Sequence, residues 1–184
     1  QPDATVLDGG ADATVSDASD GATDAANDAV ALPDAPIVDL DAATTPWAIT
    51  LGSGFTNSVA VDQNQNILAC AALAQNSTFF LEEFDPTGAV LWSKSAGVAS
   101  CSAATFDPSG NVIAVGGTAA TVDLGGGAIG PGAFIVKYDS VGNFVWQAGP
   151  FAGASLVQVR AKSNGDIVAG GAFTGGVDFG GGTV

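Results

Sequence analysis

Beyond residue 45 the apolar positions fall in short runs set between polar clusters rich in Gly, Asp, Asn and Ser. The longest run, Ile67 to Ala74, has eight residues, and no ten-residue stretch shows helical periodicity. Runs such as Ser58-Val59-Ala60-Val61, Phe134-Ile135-Val136-Lys137-Tyr138 and Asn143-Phe144-Val145-Trp146 are rich in β-branched and aromatic residues and predict strands. The segment between two of them, Asp107-Pro108-Ser109-Gly110-Asn111, has the chemistry of a short hairpin. Asp accepts from turn amides, Pro fixes φ at the next position, and Gly takes the left-handed conformation before the return strand.

These elements repeat. Phe84-Asp85-Pro86-Thr87-Gly88-Ala89-Val90-Leu91-Trp92 returns as Tyr138-Asp139-Ser140-Val141-Gly142-Asn143-Phe144-Val145-Trp146, an offset of 54. Phe106 to Ala114 is matched by Val61 to Ala69, 45 residues earlier, and by Lys162 to Ala169, 55 residues later. Val122-Asp123-Leu124-Gly125-Gly126-Gly127 and Val177-Asp178-Phe179-Gly180-Gly181-Gly182 keep the offset of 55. Trp47, Trp92 and Trp146 mark one phase of the unit. Asp85, Gly88, Asp107, Gly110, Asp139, Gly142 and Gly165 are the expected turn residues.

Each unit holds two hairpins, hence four strands. Four-stranded units of this length in tandem predict an all-β chain built as a partial β-propeller. The expected blades are about 47–92, 93–147 and 148–184, the extra length of the second falling at Thr118 to Gly132. Propellers use about 4–8 blades. Two and a half units do not close a ring, so the reading expects further units beyond Val184.

Residues 47–184 resemble the bacterial repeat called SBBP, the seven-bladed β-propeller repeat. The resemblance rests on Asp107 to Asn111, Val177 to Gly181, Phe134 to Asp139 and Trp146, with the Lys-Tyr-Asp stretch its most specific part. Three positions depart from it: Gln65 stands where Gly is expected, Glu83-Phe84 replace Lys-Tyr, and Lys162 stands where Asp is expected. The resemblance implies a secreted or surface repeat protein without assigned chemistry.

Composition divides the chain. Residues 1–45 hold ten Asp and twelve Ala, with no Lys, Arg, Glu or aromatic residue. Such a segment buries too little apolar surface to offset the cost of ordering its backbone and is expected to be a disordered spacer. It resembles the Asp/Ala-rich spacers that follow the lipid-bearing cysteine of bacterial surface lipoproteins. An anchor would then lie upstream of Gln1, placing the protein outside the cytoplasm.

The whole chain carries 19 acids, 4 bases and no His, a net charge of −15. That argues against nucleic acid, whose phosphates demand Lys and Arg. It also excludes a Ser–His–Asp triad and a His-ligated metal. No apolar run approaches a membrane span.

Several sharper chemistries can be weighed. Asp62-Gln63-Asn64-Gln65-Asn66 alternates oxygen ligands as a calcium loop does, but reads more simply as a hairpin with solvated amides. The Gly-Gly-Gly runs lack the partners of a phosphate loop or a calcium nonapeptide and read as bends. Asp85 to Trp92 is similar to the docking motif of quinone-dependent dehydrogenases but is one residue short. The Trp set suits a sugar-stacking surface less well than repeated core packing. Cys70 and Cys101 fall on the second strand of one unit and the first of the next, compatible with either a bridge or two buried thiols.

No cofactor site or convergent acid–base group is assembled. The expected function is a non-catalytic surface scaffold that presents loops to a protein or glycan ligand. The alternative is a fragment of a secreted propeller enzyme, such as a quinone-dependent dehydrogenase, with its catalytic residues elsewhere.

Overall fold

The computed structural model describes residues 48–73 and 78–184. The acidic segment 1–45 and Trp47 lie outside the described residues, as does the link near Gln75. Among the described residues the chain is all-β, with eleven strands and no helix. Every named strand pairing is antiparallel, and no sheet closes into a barrel.

The first meander consists of β1 (Gly54–Val61), β2 (Ile67–Leu73), β3 (Thr78–Phe84) and the first part of β4 (Val90–Phe106). β4 pairs with β3 as far as Val98, then from Ala99 pairs with β5 (Val112–Thr118). The second meander runs on through β8 (Gly132–Tyr138) and β9 (Phe144–Phe151). Between β5 and β8 a small ribbon forms from β6 (Val122–Asp123) and β7 (Ala128–Ile129). β10 (Ala154–Ala161) and β11 (Ile167–Phe173) make a final hairpin. The hydrogen-bonding boundary between the meanders therefore lies at Val98–Ala99, and Trp92 sits inside β4.

The sequence repeat is reproduced in the register. The β1–β2 ladder skips Asn57, the β4–β5 ladder skips Ser102 and the β10–β11 ladder skips Val157. Those three bulges are separated by the same 45 and 55 residues as the sequence elements. A bulge bends its strand and increases local twist, so the same bend recurs in each unit. Across one such bulge, a Cβ on Gly116 would collide with the Ser100 carbonyl. Gly171 stands in the same relation to the Ser155 carbonyl.

Both faces of the second meander are buried. Its leading face, turned toward the first meander, carries Cys101, Ala104, Val112, Ala114, Phe134, Val136 and Tyr138. These pack with Leu68, Cys70, Phe79 and Leu81 in one core cluster. Phe79 meets Phe134 edge-on with ring centroids 5.9 Å apart. Its trailing face carries Ala103, Ile113, Val115 and Ala133, which pack against Leu156 and Val159 of β10. A fully buried side chain of this size contributes about 1.5–3 kcal/mol. Strands buried on both faces read as continuous apolar runs rather than alternating ones, which is why β5 reads Val-Ile-Ala-Val.

Candidate functional site

The aspartates of the body hold its turns. Residues 46–184 contain seven, and six of them use one carboxylate oxygen in one way. Oδ1 of Asp62, Asp85, Asp107, Asp123, Asp139 and Asp178 accepts from the backbone N–H groups two and four residues ahead, at 2.7–3.0 Å. The Asp85 carboxyl lies below its ordinary value chiefly through the Thr87 hydroxyl, and Asp139 chiefly through the Asn143 amide.

Five hairpins share a further geometry. The residue three ahead of the first turn residue donates its N–H to that residue's carbonyl and takes a left-handed φ. It is Gly88, Gly110, Gly142 and Gly165 in four turns and Gln65 in the fifth. Gln65, at φ 65°, is the one non-glycine residue with positive φ among those described. In the last turn the charges are exchanged: Lys162 opens it, and its ammonium lies 3.3 Å from Asp166 four residues ahead.

The Gly-Gly-Gly runs are capped bends. Asp123 binds the amides of Gly125 and Gly127, and Asp178 those of Gly180 and Gly182. Buried Tyr138 donates its hydroxyl to the Leu124 carbonyl at 2.7 Å, tying the first loop to β8. Burial, then the nearby Asp123 charge, raises the phenol far above its ordinary value.

Three of these turns meet. The β1–β2, β4–β5 and β10–β11 hairpins open on one side because the first strand of each unit packs on the first two of the unit before. Residues 61–64, 106–110 and 161–163 line a cleft of about 630 Å³. Gln63, Ser109 and Ser163 are exposed at its lip. Val61, Phe106, Pro108 and Ala161 add apolar residues to the lining.

Beneath this lip lies an ion pair that sequence reasoning did not anticipate. Lys137 Nζ on β8 donates to Asp107 Oδ2 at 2.7 Å. Burial opposes ionisation of Asp107. The Lys137 ammonium, the Asn111 side chain and the turn amides outweigh it and hold the carboxyl at about 2.

The positions that match this pair in the first meander are Glu83 and Asp62, two acids. Asn66 bridges them, donating through Nδ2 to Asp62 Oδ2 and Glu83 Oε1, each at 3.2 Å. Glu83 is buried, and its Oε2 and the Trp92 Nε1 lie close to each other without meeting the geometry of a good hydrogen bond. Burial raises the Glu83 carboxyl above its ordinary value; the Trp92 indole and Asn66 favour the charge, and Asp62 opposes it. The signal in the sequence was the repeat itself, since offsets of 45 and 54 align Asp62 with Asp107 and Glu83 with Lys137.

Trp92 and Trp146 hold matching register positions, opposite Glu83 and Lys137, and both are half-buried. Trp92 lies 6.2 Å from the Tyr138 ring, and a Cβ on Gly142 would press on its indole at 2.8 Å. Trp92 thus packs between the two meanders. Trp47 is outside the described residues.

Cys70 and Cys101 are joined by a disulfide, with Cα atoms 5.6 Å apart. It crosses from the trailing face of the first meander to the leading face of the second. At the next interface the repeat puts Val115 and Leu156 in those two places, and both lie in the second core cluster.

Among the described residues no three His, Cys, Asp or Glu side chains form a group that could hold a metal ion. No helix among them is long and apolar enough to cross a membrane. The chain matches no family model, no curated protein and no solved structure.

Proposed function

We propose that this chain belongs to a non-catalytic, extracytoplasmic β-propeller repeat protein of the SBBP kind that serves as a binding scaffold. Its four-stranded meanders act as blades, and the cleft ringed by three successive hairpins acts as the binding surface. The observation that carries the reading is the engagement of the body's aspartates. Six cap turns with one oxygen, and Asp166 takes up Lys162 and Asn164. The carboxylates are thereby committed to shaping loops, and loops on a rigid scaffold are where recognition is usually built.

Two further features support location and ligand class. A disulfide between units suits an oxidising compartment outside the cytoplasm. The composition of residues 1–45, with ten Asp and no aromatic residue, suits the spacer of a surface-anchored protein. The cleft presents Gln63, Ser109, Ser163 and Lys162 at its edge, groups that hydrogen-bond sugar hydroxyls or a polar protein loop.

The test is binding of the purified chain to arrays of glycans and extracellular proteins, beside a Ser109→Arg variant that blocks the lip. A ligand captured by the parent and lost by the variant, at unchanged melting temperature, supports the reading. Capture unaffected by Ser109→Arg rejects the cleft. Quinone-dependent oxidation of alcohols or sugars by the purified chain rejects the non-catalytic assignment.

A further inference from the structure

The second meander places a cation where the first places an acid. Lys137 Nζ lies 2.7 Å from Asp107 Oδ2, and Asn111 Nδ2 lies 2.9 Å from the same oxygen. In the first meander Asn66 spans the matching gap, its Nδ2 at 3.2 Å from both Asp62 Oδ2 and Glu83 Oε1. The two ion pairs among the described residues use Asp107 and Asp166, so none of them brings a base to Asp62 or Glu83.

The two acids are unequally served. Asp62 Oδ1 is taken up by the Asn64 and Asn66 amides of the turn, whereas Oδ2 meets only side-chain amides, Asn64 at 3.3 Å and Asn66. Glu83 is 2% exposed, and its Oε2 makes no good hydrogen bond. A buried carboxylate is costly unless a positive charge or a metal compensates it. Asp62 also lines the cleft of about 630 Å³, which gives an ion and its waters a way in from solvent.

We propose that Asp62 and Glu83 bind a divalent cation, calcium by ligand chemistry, in the place that the second meander fills with the Lys137 ammonium. Carboxylate and amide oxygens are the hard ligands that calcium takes. A half-turn of the Asn66 amide exchanges its donor for Oδ1 and adds a third ligand, and waters from the cleft complete the shell. The site lies beneath the turn and is not a calcium-binding loop, because Asp62 Oδ1 and the turn amides are already bound to each other. The ion neutralises buried Glu83 and ties β3 to the β1–β2 hairpin, as Lys137 ties β8 to the β4–β5 hairpin.

The full chain, freed of metal by a chelator, is melted with and without millimolar calcium at constant ionic strength. The expected rise for the parent is about 3–8 °C. Glu83→Lys carries its own ammonium and should show no rise, and Glu83→Gln should need at least about tenfold more calcium for the same rise. All three proteins keep the ten aspartates of residues 1–45, so any ion held there is common to them. Terbium, a luminescent substitute for calcium, reads the site directly when excited through tryptophan. It should emit with the parent and not with Glu83→Lys. Trp92→Phe should lose most of the emission and keep the calcium-dependent rise, because Trp92 is the indole beside Glu83. A parent that shows no rise overturns the proposal. An equal rise in Glu83→Lys also overturns it, since ions then act on net charge alone. Emission undiminished in Glu83→Lys or in Trp92→Phe does the same, because the ion then sits elsewhere.

Discussion

Lys137 and Asp107 stand 30 residues apart in sequence and 2.7 Å apart in space, and they join the third strand of a meander to its first hairpin turn. In the neighbouring meander the same two places hold Glu83 and Asp62, so one framework carries an ion pair in one copy and two acids in the other. The strain this places on the first meander is local. It amounts to a buried carboxyl oxygen poorly satisfied by the nearby Trp92 indole, beside a second carboxylate.

Glu83→Lys should therefore stabilise the protein by recreating the second meander's pair with Asp62. The expected gain is about 1–2 kcal/mol, since an unsatisfied buried group costs about that much and a charged hydrogen bond replaces it. Chemical denaturation of the two proteins at neutral pH measures it. A lower midpoint for Glu83→Lys would show that the two sites are not equivalent.

The same carboxyl predicts a pH dependence. Its native value is raised above the ordinary 4.5, so the native state holds the proton more tightly than the unfolded chain does. Its contribution is fully present below 4.5 and is lost as pH rises through the window above that value. Glu83→Gln should flatten the decline of melting temperature over that window. An identical pH profile in the variant would exclude Glu83 as the titrating group.

Asp107 works with the opposite sign. Its carboxyl falls from the ordinary 3.8 to about 2, so the stability it supplies is present above 3.8 and is lost as pH drops through about 2. A shift of that size corresponds to about 2 kcal/mol. Lys137→Met should cost about 2 kcal/mol at neutral pH and move acid unfolding to higher pH. An acid midpoint that does not move would dissociate Lys137 from the titration of Asp107.

The disulfide can be tested by borrowing from the repeat. Reduction should cost about 3–4 kcal/mol for a loop of 31 residues. Cys70→Val with Cys101→Leu installs the side chains that Val115 and Leu156 place at the next interface, and should recover part of that loss by packing. Melting temperatures of the oxidised, reduced and doubly substituted proteins decide the matter. A double variant no more stable than the reduced protein would mean that the two interfaces differ in shape.

Gln65→Gly removes a left-handed side chain from a turn whose four counterparts, three opened by Asp and one by Lys162, all carry glycine there. Relief of about 1–2 kcal/mol of backbone strain exceeds the entropy that glycine adds to the unfolded chain. A net gain of about 0.5–1 kcal/mol is expected in equilibrium unfolding. A loss would point to an interaction of the Gln65 side chain that the turn needs.

The all-β class is legible in the sequence because strand length and β-branched content agree with Asp-x-x-Gly spacing at the Asp85, Asp107 and Asp139 turns. The division of β4 is not, because a strand that crosses from one sheet to the next carries no turn residue at Val98–Ala99 to mark the crossing. The bulges at Asn57, Ser102 and Val157 share no side-chain chemistry, so only their spacing betrays them. The Lys137–Asp107 pair depends on β8 lying beside β5, a relation that a linear motif does not contain. It becomes visible once the units are aligned and Glu83 is read as the exception.

β4 is one unbroken strand of 17 residues that belongs to both meanders. Neither sheet can melt without disturbing a rod that the other still uses, so the boundary seen in the hydrogen bonds is not a seam along which the body comes apart. Heat or a pulling force should take residues 54–151 down in one event, and a protease should find no early nick between the sheets.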